Sequence, residues 1–300
     1  MKPKIVIVGI SGESVFLKTD HFHRFGETIT VSEKYTEPGG KGYNQAVASA
    51  IFGADVTFLT IVGNDYYGEY AIDYLKDKGV NVKYRIVSDK QTSYATILTD
   101  KNGNNQVSVF AGSANSLTKE DVLLIENEIK NADYVLLQLE VSNEIISKVL
   151  EITKKYEVKV ALNPAPSNLP SNHPFYHMVD ILTPNEIEVR DIFDIPQEID
   201  VTMYGEYLKD KIKNILVVTL GDKGCLLVKP NYYKYFTANK VDVVDTTGAG
   251  DIFNAALITK LSLGDDLESA IEFAIKVSSL SVTKPYVMNA ILYLKEILGL

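Results

Sequence analysis

The chain has little of several features that would narrow its function at once. Its 300 residues include one cysteine and no tryptophan, so no disulfide framework can form within the chain. Cys225 lies in the apolar segment Cys-Leu-Leu-Val and is expected to be a buried strand thiol rather than a nucleophile. An excess of basic residues is missing too. The formal net charge is −9, which argues against a nucleic-acid or anionic-membrane partner, because both need a basic face.

Long apolar runs are also missing. The run Ile5 to Ile10 is too brief to span a membrane or to serve as the core of a signal peptide. We interpret it as the first strand of a cytoplasmic protein. With 46% hydrophobic and 23% charged residues, the chain can bury a sizeable core. The four histidines, His21, His23, His173 and His177, lack the spacing partners of a zinc site.

Alternating strand and helix patterns predict a mostly parallel sheet covered by helices on both faces. The regular part begins with a helix from Thr118 to Lys130, and strands and helices then alternate as far as a strand at Ile215 to Leu220. Ligands of such sheets bind beyond the carboxyl ends of the strands. Glu140, Asn163 and Asn185 each follow one of these predicted strands.

Two earlier segments break the alternation. Residues 11–38 are rich in β-branched and aromatic residues without a helical period, which predicts a small sheet. Farther on, Val82 to Val87, Thr92 to Thr99 and Gln106 to Phe110 alternate like antiparallel strands. We expect residues 89–111 to form a second β insertion.

The segment Asp245-Thr-Thr-Gly-Ala-Gly-Asp251 is a candidate anion-binding turn. It follows the β-branched run Val241 to Val244, which predicts a strand, and precedes an Ala-rich helical pattern. Gly248 and Gly250 allow a sharp turn with uncovered N–H groups, and the helix start adds its positive end. Such a nest stabilises negative charge that develops on a phosphoryl group.

Asp251 has an unusual position for a carboxylate, because it repels the anion that the turn would bind. Its useful role there is to take a proton from an attacking hydroxyl group. Together with the turn, this indicates phosphoryl transfer to an alcohol. The alternative is that Asp251 only caps the helix, as Asp often does.

Three further segments carry polar groups, and two of these segments have two interpretations. Gly39-Gly-Lys-Gly-Tyr-Asn44 is either a polyol-binding turn with Lys41 and Asn44 or a structural turn with a solvated lysine. Thr183-Pro-Asn-Glu186 has the pattern of a capping box that begins at Thr183. Thr219-Leu-Gly-Asp-Lys-Gly224 is an ordinary hairpin turn or a nucleotide contact.

Asn185 and Glu188 suggest a metal-binding role. They are three residues apart on one helical face at a strand end. Oxygen ligands in that arrangement can hold Mg²⁺ through water.

Together these segments resemble the ribokinase family of carbohydrate kinases, also called the PfkB family. Two signatures match, Gly39 to Ala48 and Asp245 to Asp251. Four shorter segments occur between them in the family's order: Gln138 to Glu140, Asn163 to Pro166, Thr183 to Glu186 and Thr219 to Gly221. The resemblance covers nearly the whole chain. It implies one domain, residues 1–300, with a three-layer α/β sandwich, a mostly parallel central sheet and a small β lid at residues 11–38 and 89–111.

The resemblance also implies an activity, in which ATP is the donor and a hydroxymethyl group of a sugar or sugar-like compound is the acceptor. Asp251 would be the general base, and Gly248, Ala249 and Gly250 would form the anion hole. The other implied site residues are Gly12, Ser14, Gly40, Lys41, Asn44 and Glu140 for the sugar, Asn185, Thr219, Gly221 and Gly224 for ATP, and Glu188 for Mg²⁺ through water. Asp245 and Thr247 match half of the family's monovalent-cation site, with K⁺ as its implied ion.

Three departures from the family pattern affect substrate, nucleotide and cation. Gly12-Glu13-Ser14 stands where ribokinase has an Asn-x-Asp pair that binds the sugar. Gly12 is expected to leave room that an asparagine would fill, and Glu13 could substitute for the pair only if the backbone turns. Ile275 occupies a helix position that is often a polar nucleotide contact. The segment Lys284 to Ala290 lacks the usual Gly and Ser of the second cation loop.

Two alternatives to a sugar kinase stay open. One is a nucleoside kinase of the same family, and the other is a non-catalytic homologue that senses a sugar or nucleotide. Asp251 beside the glycine turn speaks against the sensor, which needs no base. The partners we expect are a small-molecule sugar and a second copy of the chain, paired through exposed edges of the lid, with no nucleic acid and no membrane.

Overall fold

The computed structural model describes residues 2–101 and 104–300 and contains two β-sheets. The large sheet has nine strands in the order β13-β12-β11-β10-β9-β8-β1-β4-β5. They are β1 (Lys4–Val8), β4 (Asp55–Gly63), β5 (Asn81–Val87), β8 (Tyr134–Gln138), β9 (Lys159–Asn163), β10 (Ile181–Leu182), β11 (Ile215–Thr219), β12 (Cys225–Lys229) and β13 (Tyr232–Phe236). All neighbours pair in parallel except β11 with β12 and β12 with β13.

Helices cover both faces of this sheet. They are α1 (Lys41–Ile51), α2 (Tyr66–Asp77), α3 (Lys119–Leu123), α4 (Glu126–Lys130), α5 (Asn143–Tyr156), α6 (Phe175–Met178), α7 (Glu186–Ile192), α8 (Tyr204–Leu208), α9 (Ala249–Ser262), α10 (Leu267–Ser281) and α11 (Val287–Leu298). One apolar core joins the sheet to α1, α2, α9, α10 and α11, and a second joins its other face to α3 through α8. Central strands such as β1 and β8 are apolar throughout because both of their faces are buried. The predicted three-layer α/β sandwich is confirmed.

The second sheet is small and lies at the carboxyl edge of the large one. Its strands, in the order β3-β2-β6-β7, are β2 (Gly12–Lys18), β3 (Glu33–Gly39), β6 (Ser93–Thr99) and β7 (Asn105–Phe110). The chain enters it directly after β1 and β5 and returns directly into α1. The two β insertions that the sequence predicts thus supply the strands of one sheet. We call it the small sheet, and its role as a lid stays a prediction.

Three predicted elements differ from the structure. Residues 82–87 belong to β5, which pairs in parallel with β4 in the large sheet rather than with β6. β5 is an edge strand of the large sheet, and Tyr84, Arg85 and Ile86 are all exposed, so its alternating sequence does not correspond to alternating burial. Residues 118–130 form two short helices, α3 and α4, instead of one. The run Val241 to Val244 forms no strand, and both Val243 and Val244 are exposed.

Among residues 2–101 and 104–300, no helix is both long enough and apolar enough to cross a membrane.

Candidate functional site

The turn before α9 has the geometry expected of an anion-binding helix start. Gly248 is the N-cap of α9 and has a φ of 73°, a left-handed conformation that favours glycine. In the part of the chain that the structure describes, no side chain caps this helix, so its first N–H groups lack the usual partner. The N–H of Ala249 makes only a long bond, of 3.3 Å, to the carbonyl oxygen of Thr246. A Cβ atom at Gly250 would meet nothing within 4 Å, so the turn is open on that side.

Asp251 lies in the first turn of α9 but does not cap it. Its side chain is buried, and its two oxygens accept hydrogen bonds from Asn44 Nδ2, at 2.8 Å, and Gln45 Nε2, at 3.1 Å. Both donors come from α1, about 200 residues earlier in the sequence. Burial raises the pKa of Asp251, while Lys41, Asn44 and Gln45 oppose the rise. The helix-cap interpretation of Asp251 is therefore wrong.

Lys41 and Glu140 lie beside Asp251. The backbone N–H of Lys41 donates to Glu140 Oε2 at 2.8 Å. Burial raises the pKa of Glu140 to about 7, with Lys41 lowering it and Asp251 raising it further. Burial alone would lower the pKa of Lys41, but Asp251, Glu140 and Glu188 outweigh burial and raise it. Lys41 is thus a half-buried cation under the influence of three carboxylates, and its role in sugar binding stays a prediction.

A polar atom without a partner marks the side of this cluster nearest to the small sheet. Among the residues that the structure describes, Asn44 Oδ1 is buried and accepts no hydrogen bond. A Cβ atom at Gly39 would collide with Ser14 Oγ and would lie 3.9 Å from Asn44 Oδ1. Ser14 and Asn44 therefore flank the same point. A hydroxyl-bearing ligand there would satisfy Asn44 Oδ1, which otherwise costs free energy as an unpaired buried acceptor.

Gly12 and Glu13 do not behave as the sequence suggested. A Cβ atom at Gly12 would lie only 2.7 Å from the carbonyl oxygen of Ser93 in β6, so Gly12 leaves no room for a larger side chain. Glu13 is in regular strand conformation and hydrogen-bonds the side chain of Tyr67 on α2. Since successive strand residues face opposite sides, Glu13 points away from Ser14. It does not replace the missing sugar-binding pair.

A cavity of about 230 Å³ lies between the small sheet and α2. Its lining includes Gly12, Glu13, Tyr66, Tyr67 and Tyr70. The three tyrosine side chains are partly exposed, and the rings of Tyr66 and Tyr70 are stacked 6.2 Å apart. Nothing in the sequence pattern indicated this cavity, because its walls come from β2, β3 and α2.

Asn185 and Glu188 form the capping box of α7. Asn185 is the N-cap, and its Oδ1 accepts from the N–H of Glu188 at 2.8 Å. Glu188 Oε2 in return accepts from the N–H of Asn185 at 2.9 Å. The predicted capping box from Thr183 to Glu186 is wrong, since the helix starts at Glu186 and Thr183 Oγ1 instead bonds Asn254 in α9.

The predicted nucleotide segments meet at the end of β11. Asn185 forms a parallel bridge to Thr219. Thr219 ends β11, and a short 3₁₀ turn, Gly221–Lys223, connects to β12 through Gly224. Since β11 and β12 pair antiparallel, the hairpin prediction is confirmed. Its position beyond a strand end is also where ligands of such sheets bind.

The carboxylate of Glu188, which follows β10, has the chemistry that Mg²⁺ binding requires. In the described ranges, no group of three or more acidic, histidine or cysteine side chains could enclose a metal ion. Mg²⁺ bound with substrate phosphates needs only one or two carboxylates and keeps several waters. Glu188 is a buried carboxylate near Lys41 and Asp251, and its burial raises its pKa. The residues present therefore fit a water-mediated ion.

The two side-chain oxygens of Asp245 each accept a backbone hydrogen bond. Oδ1 accepts from the N–H of Thr247, and Oδ2 accepts from the N–H of Tyr286, both at 2.9 Å. The carbonyl oxygen of Val282 accepts from the N–H groups of Val244 and Asp245. These donors compete with a cation for the same oxygens, and the K⁺ site that the resemblance implies stays a prediction.

Sequence reasoning missed the amides beneath the site. Gln45 donates to Asp251 and to Asn163 Oδ1, and it accepts from Gln138 Nε2. Asn254 Nδ2 donates to the carbonyl oxygen of Gly250. These side chains are buried and belong to otherwise apolar elements. Polar residues at such positions are a signal that could have found them, because a buried amide needs partners.

Comparisons with known proteins agree with this geometry. Residues 2–292 match the pfkB family of carbohydrate kinases. The chain is 35% identical over 303 residues to the ribokinase of Staphylococcus aureus, with 99% of each chain covered. It is 30% identical over 282 residues to the deoxyribokinase of Salmonella typhi, covering 93% of this chain and 92% of that protein.

A solved structure has the same fold over its full length. Arabidopsis thaliana ribokinase, complexed with ribose and ATP, superimposes with a TM-score of 0.83 and 28% identity, covering 98% of this chain and 99% of that one. The match extends over both sheets and the whole candidate site. The chain therefore belongs to the pfkB family of carbohydrate kinases, and the carbohydrate kinase that the sequence predicts is confirmed.

Proposed function

We propose that the protein transfers the γ-phosphoryl group of ATP to a hydroxymethyl group of a sugar or sugar-like substrate. One observation carries the proposal. Asp251 is a buried carboxylate in the first turn of α9, a helix start that no side chain caps. A base and a cluster of free N–H donors are thus side by side, as transfer to an alcohol requires.

Asp251 acts as the general base. It accepts the proton of the attacking hydroxyl while that oxygen forms its bond to the γ-phosphorus, and the bond from the phosphorus to the bridging oxygen of ADP breaks. Burial raises the pKa of Asp251, which brings its basicity closer to that useful near neutral pH. Hydrogen bonds from Asn44 and Gln45 hold the carboxylate in one orientation.

The turn Gly248-Ala249-Gly250 stabilises the charge on the transferred group. Its N–H groups and the positive end of α9 face the developing negative charge. Lys41 is a half-buried cation under the influence of Asp251 and Glu140 and adds to the positive potential there. The amides are already held by the fold, so little reorganisation is needed during the reaction.

ATP binds beyond β10 and β11 in this proposal. Asn185, Thr219, Gly221 and Gly224 contact the nucleotide, in the region where Asn185 bridges Thr219. Glu188 would hold Mg²⁺ through water, and the ion would neutralise charge on the phosphates. The Arabidopsis ribokinase complexed with ribose and ATP supports this choice of donor.

The sugar binds between the small sheet and α1. Asn44 Oδ1, which has no partner among the described residues, accepts from a sugar hydroxyl. Glu140, Lys41 and Ser14 supply further polar contacts, and Gly40 lets the backbone approach. The negative charges of Glu140 and Asp251 favour the charged form of Lys41, which can donate hydrogen bonds to sugar oxygens.

An assay of ADP release across pentoses, hexoses and nucleosides tests this function. We expect ADP only in the presence of an acceptor, with the phosphate on a primary hydroxyl group by mass spectrometry and NMR. A nucleoside preferred over every sugar would support the nucleoside-kinase alternative. Ligand binding without ADP release for any compound would support the sensor.

Potassium should have little effect on turnover. Backbone N–H groups already occupy Asp245, so replacing K⁺ by tetramethylammonium at constant ionic strength should change kcat by less than about threefold, a difference below 1 kcal/mol in the barrier. The measurement is kcat at saturating ATP and sugar in buffers free of alkali-metal ions. A rise of tenfold or more on adding K⁺ would show that the ion displaces these N–H donors.

We propose that the small sheet is a lid and that two copies of the chain pair through it. Its edge strands are β3 and β7, and β7 exposes Val107, Val109 and Phe110. Exposed apolar edge strands tend to pair with another chain. We expect a homodimer by multi-angle light scattering, and Val109→Lys should shift it towards monomer. Thr202→Lys, a change at an exposed residue outside the small sheet, is the control. A monomer at all concentrations would refute the pairing.

A further inference from the structure

The start of α11 is capped by a residue from the small sheet. Glu37 of β3 is buried, and its two carboxylate oxygens accept from the N–H groups of Val287, at 2.8 Å, and Met288, at 3.1 Å. These are the first two residues of α11, and α11 has no side-chain cap of its own at Tyr286. Glu37 thus does the work of an N-cap from a position 250 residues away in the sequence.

Aromatic side chains strengthen the same junction. The ring of Tyr286 stacks on Tyr35 of β3, with ring centroids 3.9 Å apart, and meets Phe16 of β2 edge to face at 5.1 Å. The small sheet therefore holds residues 286–288 by two independent kinds of contact. Any movement of the sheet against the rest of the molecule is transmitted to the start of α11.

The start of α11 in turn holds the turn before α9. A Cβ atom at Gly248 would lie 2.6 and 2.7 Å from the two methyl carbons of Val287, so Val287 packs directly on Gly248. The N–H of Tyr286 donates to Asp245 Oδ2, and the other oxygen of Asp245 accepts from Thr247. Both sides of the turn that precedes Asp251 are thus supported by residues 286 and 287.

Burying the carboxylate of Glu37 beside another carboxylate costs free energy. Burial raises the pKa of Glu37 to about 7, and nearby Asp245 adds to the rise, while the N–H groups of Val287 and Met288 lower it. A buried charge near another carboxylate is retained only where its hydrogen bonds compensate. An apolar residue on β3 would bury more cheaply but could not bind two N–H groups.

We propose that Glu37 is a positioning residue for phosphoryl transfer, which couples the small sheet to the turn Gly248-Ala249-Gly250 through Val287. It holds α11 so that Val287 keeps Gly248 in its left-handed conformation and the N–H groups of the turn stay directed at the transferred group. This inference rests on the proposed role of that turn as the anion hole. It gives the small sheet a task in catalysis besides covering the substrate.

The direct test replaces Glu37 by an uncharged side chain of the same size. In Glu37→Gln one oxygen can still accept, but the amide NH₂ group faces the second N–H donor, so one bond is lost. Misplacing catalytic groups by a fraction of an ångström to 1 Å costs roughly tenfold to a hundredfold in rate. We expect kcat to fall about tenfold or more, while KM for the sugar stays within about threefold, because the anion hole acts in the transition state.

The matched control is Glu33→Gln, on the same strand. Glu33 forms an exposed ion pair with Lys18, and the kcat of the Glu33→Gln variant should equal that of the parent. A second variant, Val287→Ala, removes the contact with Gly248 and leaves the bonds of Glu37 in place. Its kcat should also fall, and the double variant should lose less than the product of the two single losses, because both act through one contact.

Five outcomes decide the proposal. A loss of kcat without a matching change in KM in Glu37→Gln and Val287→Ala supports it, provided that the double variant loses less than the product of the two single losses. Losses that multiply would overturn the coupling, as would a parent-like kcat in Val287→Ala if Glu37→Gln does not fold. Parent-like kcat in both single variants, with Asp251→Asn inactive, overturns only the positioning role. If Asp251→Asn is active as well, the proposed function fails with it, because Asp251 is then not the general base.

Discussion

Asp251→Asn is expected to lower kcat by roughly 10²-fold or more, the usual contribution of a positioned general base. The asparagine keeps the shape of the side chain but cannot accept the proton of the attacking hydroxyl. The fold should survive, because Asn44 can rotate its amide so that Oδ1, which lacks a partner among the described residues, accepts from the new NH₂ group. Dissociation constants for ATP should change little.

The measurement is steady-state turnover with the best acceptor, together with ATP titration by calorimetry and a thermal melt. Asp242→Asn is the matched control, because Asp242 is exposed in the loop before the same helix. Its turnover should equal that of the parent. Turnover of Asp251→Asn within a few-fold of the parent would exclude Asp251 as the base, and loss of ATP binding in this variant would point to a structural role instead.

Ribose is expected to be a poor substrate. The positions at which ribokinase has an Asn-x-Asp pair are Gly12 and Ser14, and only Ser14 retains a polar side chain. A well-made hydrogen bond to a sugar hydroxyl contributes on the order of 1–3 kcal/mol, so the loss should cost about tenfold to several-hundredfold in kcat/KM for ribose. Glu13 cannot replace the missing pair, because its side chain hydrogen-bonds Tyr67 and does not face the sugar side.

A better substrate should have fewer hydroxyl groups or an apolar part on that side. The room for it does not come from Gly12, whose missing side chain would meet the carbonyl of Ser93. A less hydroxylated acceptor would instead leave fewer hydroxyl groups without a partner beside Gly12 and Ser14.

The test is kcat/KM measured side by side for ribose, deoxyribose, fructose, other ketoses and nucleosides. We expect ribose to rank at least tenfold below the best compound. Tyr84→Ala, at an exposed tyrosine of β5, is the control variant and should leave this ranking unchanged. Ribose as the preferred acceptor would mean that another group of the small sheet replaces the missing pair.

The sequence by itself determined the features that depend on short stretches of chain. Runs such as Ile5 to Val8 are apolar at every position because both faces of a central strand are buried, so the parallel sheet could be predicted from pattern alone. The turn at Gly248 could also be predicted from the sequence, since a left-handed N-cap favours glycine whatever packs around it. The location of Asp251 one turn later then follows from chain geometry.

Only the tertiary structure decided features that join distant segments. The donors to Asp251 lie about 200 residues away on α1, and the partners of Glu37 lie 250 residues away on α11. The placement of β5 in the large sheet depends on its pairing with β4, which the alternating sequence of β5 did not indicate. The run Val241 to Val244 has the composition of a β-strand, but it pairs with no strand among the described residues. Composition and spacing describe what each segment can do, whereas the neighbour that each segment meets depends on how the whole core packs.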